Sequence, residues 1–230
     1  MSKKEMASKT NVIAVDGPAG SGKSTVAKGV AKALKFLYID TGAMYRALAV
    51  KALRKKVNLE DEAVLTQLAR ETNIKLEVKN GSLKVLLDGE DVTDEIRDLS
   101  VSEKVKFVAK VQGVRHNMVK IQRSLGEQSK GAVLEGRDIG TVVFPNAKYK
   151  FYLDASFDER VKRRFKEFEG KGTVVSLEEV KKDVEARDHT DKTRRVGPLK
   201  QAKDAVYIDT TNLTAEDVVS EILKRVTNAL

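Results

Sequence analysis

The stretch from Val12 to Thr25, VIAVDGPAGSGKST, constrains the fold more than any other part of the sequence. It opens with an apolar, β-branched run that is typical of a buried parallel strand. It continues as Gly17-x-x-x-x-Gly22-Lys23-Ser24, after which valine and leucine recur at the spacing of a helix. A glycine-rich turn between a strand and a helix points its backbone N–H groups at phosphate oxygens. The stretch therefore predicts a phosphate-binding loop.

The polar side chains of this loop have predicted roles. The Lys23 ammonium is expected to reach the β- and γ-phosphates of a nucleoside triphosphate, and the Ser24 hydroxyl is expected to bind Mg²⁺. The sequence lacks the Asn-Lys-x-Asp motif that reads guanine, which disfavours a GTPase. The predicted triphosphate-binding residues are Gly17, Pro18, Ala19, Gly20, Ser21, Gly22, Lys23, Ser24 and Thr25.

Five short apolar runs, separated by helical patterns, predict the main sheet. They are the run at the start of the loop motif and residues 36–39, 131–135, 148–153 and 204–209. Strands that alternate with helices favour an α/β fold, in which a five-stranded parallel sheet is wrapped by helices on both faces through right-handed connections.

One segment departs from this alternation. Residues 74–78 and 83–87 alternate apolar and polar positions on either side of Asn80-Gly81, a strong signal for an antiparallel hairpin. A hairpin within an otherwise alternating chain predicts an inserted subdomain.

Helix starts and breaks are also predicted from local residues. Thr41 is expected to cap the helix that follows the second strand. A helix is expected over residues 58–72, and the helical segment 94–129 is expected to break near Gly113. Capping boxes predict three further helix starts, at Ser156, Ser176 and Thr214.

Composition limits the class of protein. A chain of 230 residues with 41% hydrophobic residues suits one large domain. It has no cysteine, no apolar run of membrane-spanning length and no hydrophobic leader, so we expect a cytoplasmic protein whose residues 1–10 form a disordered tail. The net charge of +9 is compatible with binding either nucleic acid or polyanionic nucleotides. The low aromatic content of 5% disfavours base stacking and therefore favours nucleotides.

Three clusters of charged residues are candidates for binding phosphates. Arg160, Arg163 and Arg164 are spaced to share one helix face, which is either a solvated surface or an arginine lid with glycine hinges at positions 170 and 172. The segment 187–195 contains many charged residues. It either binds a phosphorylated sugar or forms the end of a helix, where cations are favourable. Arg137-Asp138 follows a strand, at the sheet edge where ligands of α/β proteins bind.

The two histidines, His116 and His189, lie in charged helical segments without a nucleophile partner in the sequence pattern. We interpret both as surface residues.

Several motifs in this order resemble the bacterial cytidylate kinases. They are residues 16–25, 40–46, 88–93, 135–145 and 187–194, and the resemblance covers the chain from Asn11 onward. It implies a nucleoside-monophosphate-kinase core (residues 11–40, 130–155 and 200–230), a monophosphate-binding insert at about 41–129 and a short lid at about 157–195, all in one domain over 11–230.

The resemblance also implies a reaction, ATP + CMP ⇌ ADP + CDP, with dCMP as a further acceptor and Mg²⁺ accompanying ATP. The family is expected to act as a monomer in pyrimidine metabolism, without nucleic acid or membrane. Catalytic roles fall to Lys23, Arg160, Arg163 and Arg164, which offset charge on the moving phosphoryl group. The implied CMP-binding residues are Thr41, Arg46, Arg115, Arg137, Asp138, Arg187, Asp191 and Arg194.

Within that set, the resemblance assigns the acceptor phosphate to Arg46 and Arg137, and the cytosine edge to Arg115 and Asp138. The ribose is assigned to Arg187 and Asp191, with Arg194 close to the nucleotide. One position departs from the family pattern: a small serine is usual nine residues before Arg115, where this chain has Lys106. Either Ser102 replaces it or base selectivity is relaxed.

Two other functions remain open from the sequence. The chain is alternatively a P-loop kinase for UMP, AMP or a non-nucleotide acceptor, or an ATPase that binds nucleic acid.

We predict that Lys23→Ala removes most activity, on the order of a hundredfold or more, because a positioned charge stabilises the transferring phosphates. The fold is expected to survive, since the sequence suggests a solvent-exposed lysine on a loop. Steady-state turnover and circular dichroism of the purified variant test both parts. Near-normal turnover would contradict the phosphate-loop assignment.

Overall fold

The computed structural model describes residues 11–79, 82–170 and 172–227. Two short non-α helical turns lie at Glu95–Arg97 and Ile139–Val143; the second is a π-turn. The strands are β1 Val12–Asp16, β2 Leu37–Asp40, β3 Ile74–Lys79, β4 Ser82–Leu87, β5 Glu90–Asp91, β6 Ala132–Gly136, β7 Tyr149–Asp154 and β8 Val206–Asp209. The helices are α1 Lys23–Leu34, α2 Thr41–Arg54, α3 Glu62–Arg70, α4 Leu99–Ala109, α5 Gln112–Gln128, α6 Phe157–Glu169, α7 Leu177–Thr193 and α8 Ala215–Thr227.

The main sheet has five parallel strands in the order β2-β6-β1-β7-β8, which confirms the predicted fold class. The central strand β1 lies between β6 and β7 and is buried along its whole length. In register, Asp16 faces Gly136 and Asp40 faces Glu135. The residues that follow these positions therefore meet at one edge of the sheet.

Helices cover both faces of this sheet and create two apolar cores. Successive side chains of a strand point to opposite faces, and β1 follows this rule. Val12 and Ala14 pack in a core with α2, α3, α4 and α5. Ile13 and Val15 pack in a second core with α1 and α8.

A separate antiparallel sheet, β3-β4-β5, lies in the chain between β2 and β6. The pairing of Ile74 with Leu87 and of Leu76 with Val85 confirms the predicted hairpin. Its turn at Asn80-Gly81 and the tail predicted at 1–10 lie outside the described residues. Whether residues 41–129 and 157–195 behave as an insert and a lid stays a prediction.

The N-terminal cap of α2 is Asp40, not Thr41 as the sequence predicted. The carboxylate of Asp40 caps α2, accepting a hydrogen bond from the Ala43 N–H at 2.8 Å. Thr41 is the first helical residue, and its hydroxyl donates to the Glu135 carbonyl at 2.7 Å. Thr41 therefore joins α2 to β6 instead of capping the helix.

Two helix boundaries also differ from expectation. The predicted helix 58–72 is shorter, because the Asp61 carboxylate accepts from two N–H groups and starts α3 at Glu62. The break between α4 and α5 falls at residues 110–111, and Gly113 lies inside α5. A Cβ at Gly113 would come within 2.3 Å of the Thr66 side chain, so this glycine lets α5 pack closely on α3.

The three predicted helix starts are confirmed, and two of them are full capping boxes; at Ser156 the backbone N–H donates to Thr211 instead of Glu159. Ser176 accepts from the Glu179 N–H while the Glu179 carboxylate accepts from the Ser176 N–H. Thr214 and Asp217 make the same reciprocal pair, and Ser156 accepts from the Glu159 N–H. Among the described residues, no helix combines the length and apolar character needed to cross a membrane.

We predict that Leu134→Ala lowers the free energy of unfolding by about 2–5 kcal/mol, because it leaves a cavity in a core that cannot fully collapse. Leu134 is on β6 and is completely buried. Urea unfolding measures the loss. The matched control is Leu213→Ala, whose side chain is 41% exposed, and an equal loss in both variants would contradict the placement of β6.

Candidate active site

The predicted phosphate loop links β1 to α1, with the base of α6 lying against it. Gly20 has φ +77°, and a Cβ there would come within 2.7 Å of the Arg160 carbonyl oxygen. Only glycine permits this backbone-to-backbone approach. The loop is thus fixed from two sides, by β1 and by the start of α6.

Lys23 is not the exposed side chain that the sequence suggested, since it is only 6% exposed. Its ammonium turns back onto the loop and donates to the Pro18 carbonyl at 2.5 Å. Burial, reinforced by the charge of Arg137, lowers the pKa of Lys23. A phosphate oxygen in the loop offers the ammonium a stronger, charged acceptor than this carbonyl.

Ser24 contacts a buried carboxylate that the sequence analysis did not single out. Its hydroxyl donates to Glu135 Oε2 at 2.8 Å, while the Tyr38 hydroxyl donates to the other carboxylate oxygen. Burial raises the pKa of Glu135 and of Tyr38. The signal available in the sequence was the strand order: Glu135 is the next-to-last residue of β6, which pairs with the strand that carries the loop.

The oxygens of Ser24 and Glu135 fit a magnesium ion that arrives with a nucleotide. Mg²⁺ prefers oxygen ligands and is commonly held by one or two protein groups together with phosphates and water. Within the described ranges, no group of three or more His, Cys, Asp or Glu side chains forms a metal cage. These two oxygens therefore suit a cation that is bound by the protein and by the phosphates of a nucleotide together.

Asp16 is a second buried carboxylate without a role in the sequence analysis. It lies at the end of β1 and accepts hydrogen bonds from the N–H groups of Ile139 at 2.8 Å and Gly140 at 2.7 Å. Burial raises its pKa to about 6. Its two bonds tie the strand that carries the loop to the π-turn that follows β6.

Five of the residues expected to bind CMP come together beside the end of β6. Arg115, only 2% exposed, forms an ion pair with Asp138. The guanidinium of Arg194 lies 3.8 Å from Asp138 and 3.6 Å from Asp191. Arg137 donates to Asp191 at 2.7 Å. We call these five residues the acceptor cluster.

The other three expected CMP-binding residues lie outside these contacts. Arg46 pairs with Asp40 at 3.1 Å, at the end of β2, and Thr41 binds the Glu135 carbonyl as described above. Arg187 pairs with Asp183 on its own helix, at 3.0 Å. Burial and the nearby Arg164 lower the pKa of Arg187.

The three arginines of α6 have different partners in the structure. Arg160 is buried and donates to the Ala19 carbonyl at 3.2 Å and to both oxygens of Asp188 at 2.9 and 2.6 Å. A solvated-surface interpretation is therefore wrong for Arg160. Its contacts fix α6 to the loop and to α7.

Arg163 fixes the same junction from another side, donating to the Thr210 carbonyl at 2.6 Å and to its hydroxyl at 2.9 Å. Arg164 pairs with Glu167 at 2.5 Å and stacks over the Phe168 ring at 4.9 Å. A catalytic role for the α6 arginines stays a prediction. His116 and His189 are exposed, as expected.

The sequence profile of a family described as cytidylate kinase matches residues 13–228. The chain belongs to the cytidylate kinase family. This confirms the resemblance found in the motifs.

Relatives within the family cover almost all of the chain. A cytidylate kinase of Desulforamulus reducens is 53% identical over 211 residues, covering 92% of this chain and 94% of its own. One from Caldanaerobacter subterraneus subsp. tengcongensis is 49% identical over 214 residues, covering 93% of both chains. A solved structure of an uncharacterized protein from Eubacterium ventriosum has a TM-score of 0.51 at 14% identity, covering 96% of this chain and 99% of that one. This last likeness concerns the fold alone.

We predict that Asp16 makes the protein less stable as the pH rises from 4 towards 7. Burial raises its pKa from 3.8 to about 6, so between these values the folded state holds a proton that the unfolded chain has lost. This difference between the two pKa values corresponds to a loss of about 3 kcal/mol in the free energy of unfolding over that pH range. Urea unfolding at several pH values, compared between wild type and Asp16→Asn, measures it.

The informative quantity is the difference between the two proteins at each pH. The wild type is expected to lose stability relative to Asp16→Asn as the pH rises. The control Asp209→Asn removes an exposed carboxylate whose pKa is lowered by bonds from Thr211, so its effect has the opposite sign. Parallel pH curves for wild type and Asp16→Asn would contradict the prediction.

Proposed function

We propose that this member of the cytidylate kinase family transfers the γ-phosphoryl group of ATP to CMP, giving ADP and CDP, and that dCMP is a second acceptor. One observation carries the proposal. Asp16 and Gly136 are register partners in the sheet, so the phosphate loop and the Arg137-Asp138 pair start side by side. Donor and acceptor phosphates bound at these two places are brought together at one sheet edge.

The donor end consists of the phosphate loop with Lys23 and Ser24. The loop N–H groups and the Lys23 ammonium hold the ATP phosphates. When bound, Mg²⁺ neutralises charge on those phosphates, and the Ser24 hydroxyl, positioned by Glu135, would hold it.

The acceptor end uses the cluster around Asp138. Its carboxylate accepts from the 4-amino group of cytosine, the usual pairing for a carboxylate with a cytosine edge, and Arg115 donates to the ring acceptors. Arg137 and Arg46 bind the CMP phosphate, and Asp191 and Arg187 the sugar. A carboxylate that contacts the sugar can use either hydroxyl of a ribose, so dCMP keeps an acceptor contact.

The chemistry needs no general base, because the attacking oxygen belongs to a phosphate that is already ionised. Rate enhancement then comes from positioning and from fixed positive charge. Arg160 and Arg163 hold α6 on the loop through carbonyl contacts. The Arg164 partner Glu167 is 52% exposed, which leaves Arg164 as the α6 arginine most able to exchange its partner for a phosphate.

Lys106 is exposed on α4, with its ammonium 5.4 Å from the Phe107 ring. Ser102, one turn earlier, is half-buried. How strictly cytosine is preferred over uracil therefore depends, in this proposal, on Asp138 and Arg115. The proposed setting is a monomer in the pyrimidine metabolism of the cytoplasm.

We predict that wild type phosphorylates CMP and dCMP far better than UMP or AMP, and that Asp138→Asn narrows the CMP/UMP ratio of kcat/KM by tenfold or more. An asparagine amide can donate to the uracil 4-oxygen, whereas a carboxylate opposite that oxygen stays unpaired, a mismatch worth roughly 1–3 kcal/mol. Coupled ADP detection over this acceptor panel measures both ratios.

The matched control is Asp188→Asn, which also removes a carboxylate from a buried arginine, Arg160. It is expected to reduce kcat/KM for CMP and UMP by the same factor. Equal losses with Asp138→Asn would place base recognition elsewhere. ATP turnover that is stimulated by RNA or DNA without a monophosphate would favour the ATPase alternative instead.

A further inference from the structure

An open trough of about 570 Å³ runs over α5 beside the end of α3. Four of its lining residues are basic, and none of the described residues that line it is aspartate or glutamate. These four are Arg70, Arg115, His116 and Arg123. A neighbouring recess of about 490 Å³ shares Arg70 and adds Lys120. We call the two together the α5 trough.

Arg115 belongs to the acceptor cluster and is paired with Asp138, but the other cations of this trough are available. Arg70, His116 and Lys120 are exposed, and within the described residues they make no side-chain hydrogen bond or ion pair. Arg123 donates only to the carbonyl oxygens of Val143 at 2.7 Å and Val142 at 2.8 Å, which leaves its charge uncompensated.

Of the carboxylates in the described part of the chain, only Glu71 lines the trough, in the smaller recess. It already accepts a hydrogen bond from Gln67 at 2.5 Å. Three full positive charges, on Arg70, Lys120 and Arg123, therefore stand against this one negative charge. A concave surface with such an excess concentrates anions.

The arrangement also indicates the kind of anion. His116, Lys120 and Arg123 follow one another at helical spacing, so they form a stripe of about 10 Å along one face of α5. A ligand with several linked phosphates matches a stripe of separate cations. Each recess has the volume of a small-molecule site, and among the described residues no phenylalanine, tyrosine or tryptophan lines either one to stack a nucleic-acid base.

We propose that the α5 trough is a second anion-binding site, which takes a small molecule carrying a chain of phosphates. Arg70, Lys120 and Arg123 bind the phosphates, and the amides of Asn73 and Asn117, which also line the trough, add neutral donors. The site is distinct from the phosphate loop, because no residue from Gly17 to Thr25 lines it.

The chain offers a direct probe, since it has only two histidines. His116 lines the trough and His189 lies on α7. The imidazole proton signals are followed by NMR during titration with inorganic tripolyphosphate at fixed pH and ionic strength. The His116 signal is expected to shift and saturate, and Arg70→Gln/Lys120→Gln is expected to weaken that apparent affinity at least tenfold.

The control variant is Lys32→Gln/Lys224→Gln, which removes the same charge from exposed positions on α1 and α8. It is expected to keep wild-type affinity at His116. An unmoved His116 signal, or equal weakening in both variants, overturns the proposal. Tighter binding of a 12-nucleotide oligouridylate than of tripolyphosphate, lost in the trough variant, overturns it in favour of a nucleic-acid site.

Discussion

The arrangement of this protein depends on a buried carboxylate at the end of its central strand. Asp16 accepts two backbone N–H bonds from the π-turn that follows β6. The strand that carries the phosphate loop is thereby joined to the segment that carries Arg137 and Asp138. Desolvation makes this junction costly, and the two hydrogen bonds offset part of the cost. This contact sets the distance between the phosphate loop and the Arg137-Asp138 pair.

Charge compensation explains how so many arginines gather at one sheet edge. Each member of the acceptor cluster has an opposite charge within the cluster, and the arginines of α6 and α7 have carboxylates on the same two helices. A buried cation without a partner is strongly destabilising. In the proposed function, a nucleotide phosphate replaces a carboxylate partner of an arginine that is already positioned.

Features that arise from neighbouring residues were predicted well from the sequence. The loop motif, the five parallel strands, the hairpin and the three capped helix starts all follow from patterns a few residues long. The errors fall where distant segments meet. Lys23 is buried because its ammonium turns back onto the Pro18 carbonyl, close to charged groups that follow β6. Glu135 faces Ser24 because β6 pairs with β1. Helical spacing grouped the α6 arginines correctly along the helix but gave no information on their partners elsewhere.

The contact between Gly20 and the backbone of Arg160 has a mechanical consequence. No side chain separates the phosphate loop from the base of α6, and Arg160 and Arg163 fasten the two together. The first turns of α6 therefore move with the loop as one rigid piece. Any movement of the rest of α6 relative to the loop must therefore bend the helix beyond Arg163. Because Phe165 and Phe168 pack with valines of α7, that part of α6 must carry α7 with it.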